Sequence, residues 1–228
     1  LAPVLSFIRV LVLFLPLPVG DGIMAQEMNL GLLLILAFAG LTVLSLLLGG
    51  WASNNKYGLL GAARAVAQSV AYEIPLLLAV LAIAFQEGTL SLTAIVGGQG
   101  GMPWQWNIAV QPLAFLIFFV SALGETNRAP FDLPEAESEL TAGFHTEYSG
   151  MGFGMFFLAE YANMIVACSV CTVLFLGGWK GPFLDGAWWF LAKVYGLLLS
   201  MMWFRWTYPR VRFDQLLNLN WRWLLPLG

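Results

Sequence analysis

About seven long apolar runs decide what this chain can become. The cleanest, Leu30–Gly50, carries no charged side chain and only the hydroxyls of Thr42 and Ser45. A helix needs about 20 predominantly apolar residues to cross the hydrocarbon layer of a bilayer, and only helices and closed barrels satisfy every backbone polar group there. On that ruler the crossings fall at roughly 1–19, 30–50, 64–85, 108–124, 151–176, 187–206 and 215–228. The connections between them are punctuated by Gly, Pro and Asn, as turns require. The expected fold is an all-α polytopic transmembrane helix bundle, a single domain over 1–228 with no internal repeat and no separate soluble module.

Composition agrees. The 228 residues are 60% apolar and 10% charged, against about 25% charged in a soluble domain, and mean hydropathy is +0.80. No single core hides that much apolar surface, so the solvent is lipid. A net charge of −3 with no basic patch excludes a nucleic-acid partner. Ten Trp suit a protein with two membrane interfaces. Cys168 and Cys171 form a C-x-x-C pair inside an apolar run, with no second pair and no nearby His. That favours small packing residues over a metal or redox site. His145, the only histidine, lies near Glu147 in an acidic loop and is expected to titrate near neutral pH, but one His cannot build a metal site. The first segment lacks the basic start and cleavage site of a signal peptide, and both ends of the chain read as cut in mid-structure.

Lys and Arg counts near segment ends set orientation. One set of alternate connections holds Lys56, Arg64, Arg128, Arg205, Arg210 and Arg212, with Arg222 not far beyond; the opposite set holds Lys180, with Lys193 just inside a helix. The first set therefore faces the cytoplasm, or the matrix in a mitochondrion. It includes the segment ETNRAPFDLPEAESELTAGFHTEYSG, which sets six carboxylates (Glu125, Asp132, Glu135, Glu137, Glu139 and Glu147) against the single Arg128. Pro134 followed by Glu135 and Glu137 reads as a helix start, with acids at the positive dipole end. Glu135 and Glu139, four apart, would repel on one face, and clustered carboxylates titrate as a group. A solvated acidic loop is the plain alternative; the interleaved Phe131, Leu133, Leu140 and Tyr148 point instead to a loop packed against the bundle.

Two acids lie inside crossings. Glu73, in ARAVAQSVAYEIP, shares a polar stripe with Gln68 and Tyr72, next to a helix-perturbing Pro75. Glu160, in FFLAEYANM, has Tyr161 and Asn163 beside it. An ionisable group at such depth costs about 2.5–3.5 kcal/mol, so it faces a bundle interior, a partner or a water path. A proton relay is the stronger expectation, and a helix-locking pair the weaker one. Arg9 follows the same logic with less force, because it can snorkel if its segment starts late.

The blocks GWASNNKYGLLGAARAVAQSVAYEIP, ETNRAPFDLPEAESELTAGFHTEYSG, FFLAEYANM with LFLGGW, and YPRVRFDQLLNLNWRWLLPL occur in order along the whole chain. Together they resemble the proximal membrane subunit of NADH:quinone oxidoreductase, respiratory complex I. The resemblance implies an eight-helix bundle seen from its second helix to the start of its eighth. It implies partner subunits in the membrane and in a peripheral arm, and ubiquinone or menaquinone as substrate. It further implies that Glu125, Arg128, Asp132, Glu135, Glu137, Glu139 and Glu147 border the quinone chamber, that Glu73, Tyr72 and Glu160 belong to a proton path, and that Lys56 and Arg64 form a basic inner loop. No flavin, haem or iron–sulfur cluster is expected, since the chain lacks their Cys and His ligands. A bacterial cytoplasmic membrane fits better than a mitochondrial one. Membrane-bound hydrogenases and other quinone- or ferredoxin-linked complexes share the subunit. A stand-alone proton-coupled transporter, which would show internal repeats, and a purely structural assembly subunit are the alternatives of different class.

Overall fold

A computed structural model describes residues 1–128, 130–132, 143–145, 147–182 and 185–228, leaving aside the side chain of Phe144. It is an all-α bundle: α1 (Ala2–Phe14), α2 (Gly31–Ala39), α3 (Leu41–Ala52), α4 (Lys56–Glu87), α5 (Leu92–Gly98), α6 (Pro112–Glu125), α7 (Met151–Phe175), α8 (Ala187–Thr207) and α9 (Phe213–Leu219). Four helical stretches are long and apolar enough to cross a membrane, namely Gly31–Ala52, Lys56–Glu87, Met151–Phe175 and Ala187–Thr207; α1 and α6 are shorter apolar helices.

The second crossing is broken. At Gly40, a poor helix former, Val43 N–H turns to Gly40 O at 3.3 Å and leaves Ala39 O to other donors. α4 differs from expectation at its start. Asn55 caps it, its side chain accepting from Tyr57 N–H at 3.1 Å, so the helix begins at Lys56 rather than near Arg64. Lys56 and Arg64 are therefore helix residues and do not form a basic loop. With 32 residues, α4 runs about 48 Å at 1.5 Å per residue, longer than the hydrocarbon layer.

α4 is the central post, packed against α3 and α6, while α1 lies between α3 and α7. Small residues allow the close crossings, as membrane interfaces favour. A Cβ on Gly50 would collide with Ala62, and one on Gly124 would reach 2.6 Å from the Tyr72 ring. On the opposite face from the acidic loop, Lys193 Nζ donates to Leu176 O, Gly178 O and Lys180 O and lies 4.2 Å from the Trp106 ring centroid. Lys180 Nζ donates to Gly97 O and Gln99 O. Lys193 ties off the carbonyls that follow α7, and Lys180 those at the end of α5. Cys168 and Cys171 are buried free thiols, and Cys168 contacts Met201 of α8.

The described parts of the acidic segment turn inward. Phe131 is buried against Tyr72, ring centroids 5.5 Å apart, and Pro130 O accepts from Val211 N–H at 3.1 Å. At the other end Tyr148 Oη donates to Gly49 O at 3.2 Å, and Asn55 Nδ2 donates to Glu147 at 3.0 Å. The helix start expected at Pro134, with Glu135, Glu137 and Glu139, lies outside the described residues.

Candidate functional site

The polar residues converge on one small cavity, about 50 Å³, inside the bundle. α1 contributes Ser6 and Arg9, α3 contributes Thr42 and Ser45, and α7 contributes Glu160 and Asn163. Glu125, Thr126 and Asn127 close α6 against it, and His145 lines it from the loop. A polar space of this size has room for a few waters.

Each charge is placed by local structure. Arg9 is only 4% exposed. Its guanidinium donates to Ala39 O at 3.4 Å and to Thr42 Oγ1, while Thr42 Oγ1 donates to the same carbonyl at 2.6 Å. The carbonyl released by the Gly40 break is thus the anchor of a buried cation. Across that break sits Glu73: a Cβ on Gly40 would stand 3.1 Å from Glu73 Oε1. Only glycine lets the carboxylate approach so closely. Glu73 lies about 25 Å along α4 from Lys56 at 1.5 Å per residue, deep in the crossing.

Glu125 is the last residue of α6 and belongs to the buried cluster rather than to the loop. It lies within charge–charge range of Arg9 and Glu73, and its side chain is hydrogen-bonded to Asn163. Arg128, expected in the acidic loop, is buried: Nη2 pairs with Glu160 Oε1 at 3.4 Å, and the guanidinium stacks 4.3 Å over the Tyr161 ring. Loop acids diverge from these two. Asp132 is half-buried and Glu147 is exposed at the α3–α4 turn.

The stripe Gln68–Tyr72–Glu73 splits in two. Gln68 Nε2 donates to Gly124 O at 2.9 Å and Phe131 O at 2.7 Å, and Tyr72 Oη donates to Leu216 O at 3.2 Å. Both are fully buried, and both serve carbonyls outside the cavity. His145 also departs from expectation. It is buried between Phe153 and Phe156, ring centroids 5.6 and 5.3 Å away. Desolvation pulls its pKa down to about 4, so it is neutral where a solvated His would titrate. Among the described residues no group of three or more His, Cys, Asp or Glu could hold a metal.

Arg9 was weakly signalled by sequence, and Thr42 and Ser45 not at all. The available clue was a lone charge in an apolar run beside a Gly-interrupted one.

Chemically, Arg9, Glu125 and Glu160 border space for water, with Arg128 paired to Glu160 and Glu73 within charge–charge range of Glu125. An NADH-quinone oxidoreductase subunit of Desulfotalea psychrophila is 49% identical over 238 residues, covering all of this chain and 72% of that protein. Its counterpart in Dehalococcoides mccartyi is 48% identical over 228 residues, covering all of this chain and 64% of that protein. An NADH-quinone oxidoreductase subunit of Geobacter sulfurreducens is 53% identical over 202 residues, 88% of this chain and 58% of the relative. The chain thus spans between 58% and 72% of these relatives' lengths. Since the sequence model of the NADH dehydrogenase family matches residues 1–228 throughout, the chain belongs to that family.

Proposed function

We propose that this chain is the membrane subunit of a proton-translocating NADH:quinone oxidoreductase that borders the quinone and starts the proton path leading away from it. The observation that carries this reading is a charge cluster inside a lipid-soluble bundle: Arg9, Glu125 and Glu160 line one small cavity, Arg128 pairs with Glu160, and Glu73 lies within charge–charge range of Glu125. Ionisable groups at such depth are expensive and mark proton or ion pathways. The quinone, ubiquinone or menaquinone, is the substrate of the assembled complex, and electrons reach it from a partner subunit. Its reduction takes up protons and changes the local charge. The loop acids Asp132, Glu135, Glu137, Glu139 and Glu147 sense that charge. Glu125 and Glu73, each in the field of the other, titrate as a pair and pass the change into the membrane. Glu160, held by Arg128, stabilises the entrance. Tyr72, on this reading, fixes α4 against the segment after α8 and only indirectly supports the path.

The test uses the intact complex. Glu73→Gln and Glu125→Gln keep shape and remove the exchangeable proton. Both variants are expected to assemble and to lose quinone reduction coupled to proton translocation. Wild-type turnover and pumping in both would overturn the proton-path role. Neutralising Glu135 and Glu139 separates quinone sensing from mere docking, since a docking role predicts a lost complex and a sensing role an intact, slowed one.

A further inference from the structure

Among the described residues, the cluster carries one fixed cation more than its close ion pair uses. Glu160 is matched by Arg128, and His145 is neutral. That leaves Arg9 beside Glu125 of α6, which lies in turn within charge–charge range of Glu73 of α4. Arg9 does not deprotonate in proteins, so its charge is constant. Its anchor is not an acid but the Ala39 carbonyl and Thr42 Oγ1, and its Nε is buried with no hydrogen-bond partner among the described residues.

Two further features call for a cation here. Glu125 ends α6, where the helix dipole is negative and an anion is disfavoured. The Gly40 break adds the partial negative charge of Ala39 O beside Arg9 and Thr42. Net charge in a low-dielectric interior is costly, and two carboxylates in one site do not both ionise without compensation. With Arg9⁺ present, the neutral state of the Glu73–Glu125 pair has one proton and one vacancy. Without it, the neutral state has two protons and no vacancy, and a proton cannot move between the two groups.

We propose that Arg9 is the fixed counter-charge that holds the Glu73–Glu125 pair at one exchangeable proton, making it a positioning residue for proton transfer. The inference rests on the reading that this pair conducts protons.

The experiment compares Arg9→Met, Arg9→Lys and Thr42→Val in the intact complex with Glu73→Gln and Glu125→Gln. Arg9→Met keeps the apolar stem and drops the charge; coupled quinone reduction should fall at least about tenfold, as expected when a proton-transfer partner is lost. Arg9→Lys retains the charge and should restore most of the activity. Thr42→Val removes a hydrogen bond to Arg9 but no charge and should lower turnover far less than Arg9→Met does. A structural staple at the helix break predicts instead that Thr42→Val copies Arg9→Met and that Lys fails to rescue. Infrared spectroscopy of the resting complex supplies a second readout: Arg9→Met should gain a protonated-carboxyl band that disappears in Arg9→Met/Glu125→Gln. Wild-type coupling in Arg9→Met overturns the inference, as does an assembled but inactive Arg9→Lys. If Arg9→Met fails to assemble, Arg9→Lys and Thr42→Val decide by the same criteria. Wild-type coupling in Glu73→Gln and Glu125→Gln sinks the path reading itself, whatever Arg9 does.

Discussion

Glu160→Gln leaves the Arg128 guanidinium where it is, 7% exposed and without its 3.4 Å carboxylate partner. Orphaning one member of a buried ion pair costs about 3–5 kcal/mol. Arg128 keeps its place over Tyr161 at 4.3 Å, a contact worth about 0.5–2 kcal/mol, so the lower end of that range, about 3 kcal/mol, is expected. Arg128→Met should cost less, about 1–3 kcal/mol, because a buried carboxyl can take up a proton whereas a guanidinium cannot lose one. In the double variant neither charge remains, and its cost should fall well below the sum of the two. A coupling energy of at least about 2 kcal/mol follows, near the upper part of the range for directly contacting residues. The assay is the temperature at which the detergent-solubilised complex releases this subunit. At about 2–4 °C per kcal/mol for a chain of this size, Glu160→Gln should lower it by roughly 6–12 °C, and adding Arg128→Met should lower it little further. Additive losses in the double variant would refute the idea that the pair is one buried electrostatic unit.

Acid should loosen the loop through His145. Its pKa is lowered to about 4 by burial, so the unfolded segment binds a proton first, near pH 6.5. The stabilisation is complete above that value and is lost as pH falls from about 6.5 to 4, at most about 3 kcal/mol. Hydrogen exchange at the Tyr148 amide, which donates to His145 O, should accelerate over that window in wild type and not in His145→Leu. Tyr72→Phe loses only the hydrogen bond to Leu216 O, about 0.5–1.5 kcal/mol; turnover should stay within about twofold, and a large loss of coupled activity would return Tyr72 to the proton path. Gly124→Ala would bring a Cβ to 2.6 Å from the Tyr72 ring, an overpacking cost of about 1–3 kcal/mol. The thermal stability lost should be largely recovered in Gly124→Ala/Tyr72→Leu.

Four of the seven expected crossings, 30–50, 64–85, 151–176 and 187–206, coincide with helices long and apolar enough to span, because the bilayer imposes a length that any apolar run either meets or misses. Glu73 and Glu160 were legible because a charge inside such a run is expensive wherever the helix faces. Rotation was not legible. A membrane helix is apolar toward lipid and toward its neighbours alike, so periodicity does not say which side of α4 meets α6. That is why Gln68 and Tyr72 read as companions of Glu73, although their polar atoms serve the carbonyls of Gly124, Phe131 and Leu216. The start of α4 was written in Asn55, a good N-cap, but hydropathy alone pushed the boundary inward to Arg64.

Arg9 shows most clearly what one dimension hides. Along the sequence its cost depends on an unknown distance to the membrane surface. In the fold that cost is offset by a carbonyl that exists only because Gly40 interrupts a different helix. The same glycine leaves room for Glu73, so a single missing side chain brings near one another a cation, its anchor and the acid coupled to Glu125. Gly40→Ala should therefore disturb charge and packing together. Glu73 would be displaced by a few tenths of an ångström, and Ala39 O would be drawn back toward its helical partner. Coupled activity should fall more than thermal stability does, and Glu73→Gln should add little further loss on that background. A purely steric site would instead lose stability in proportion and leave the two substitutions additive.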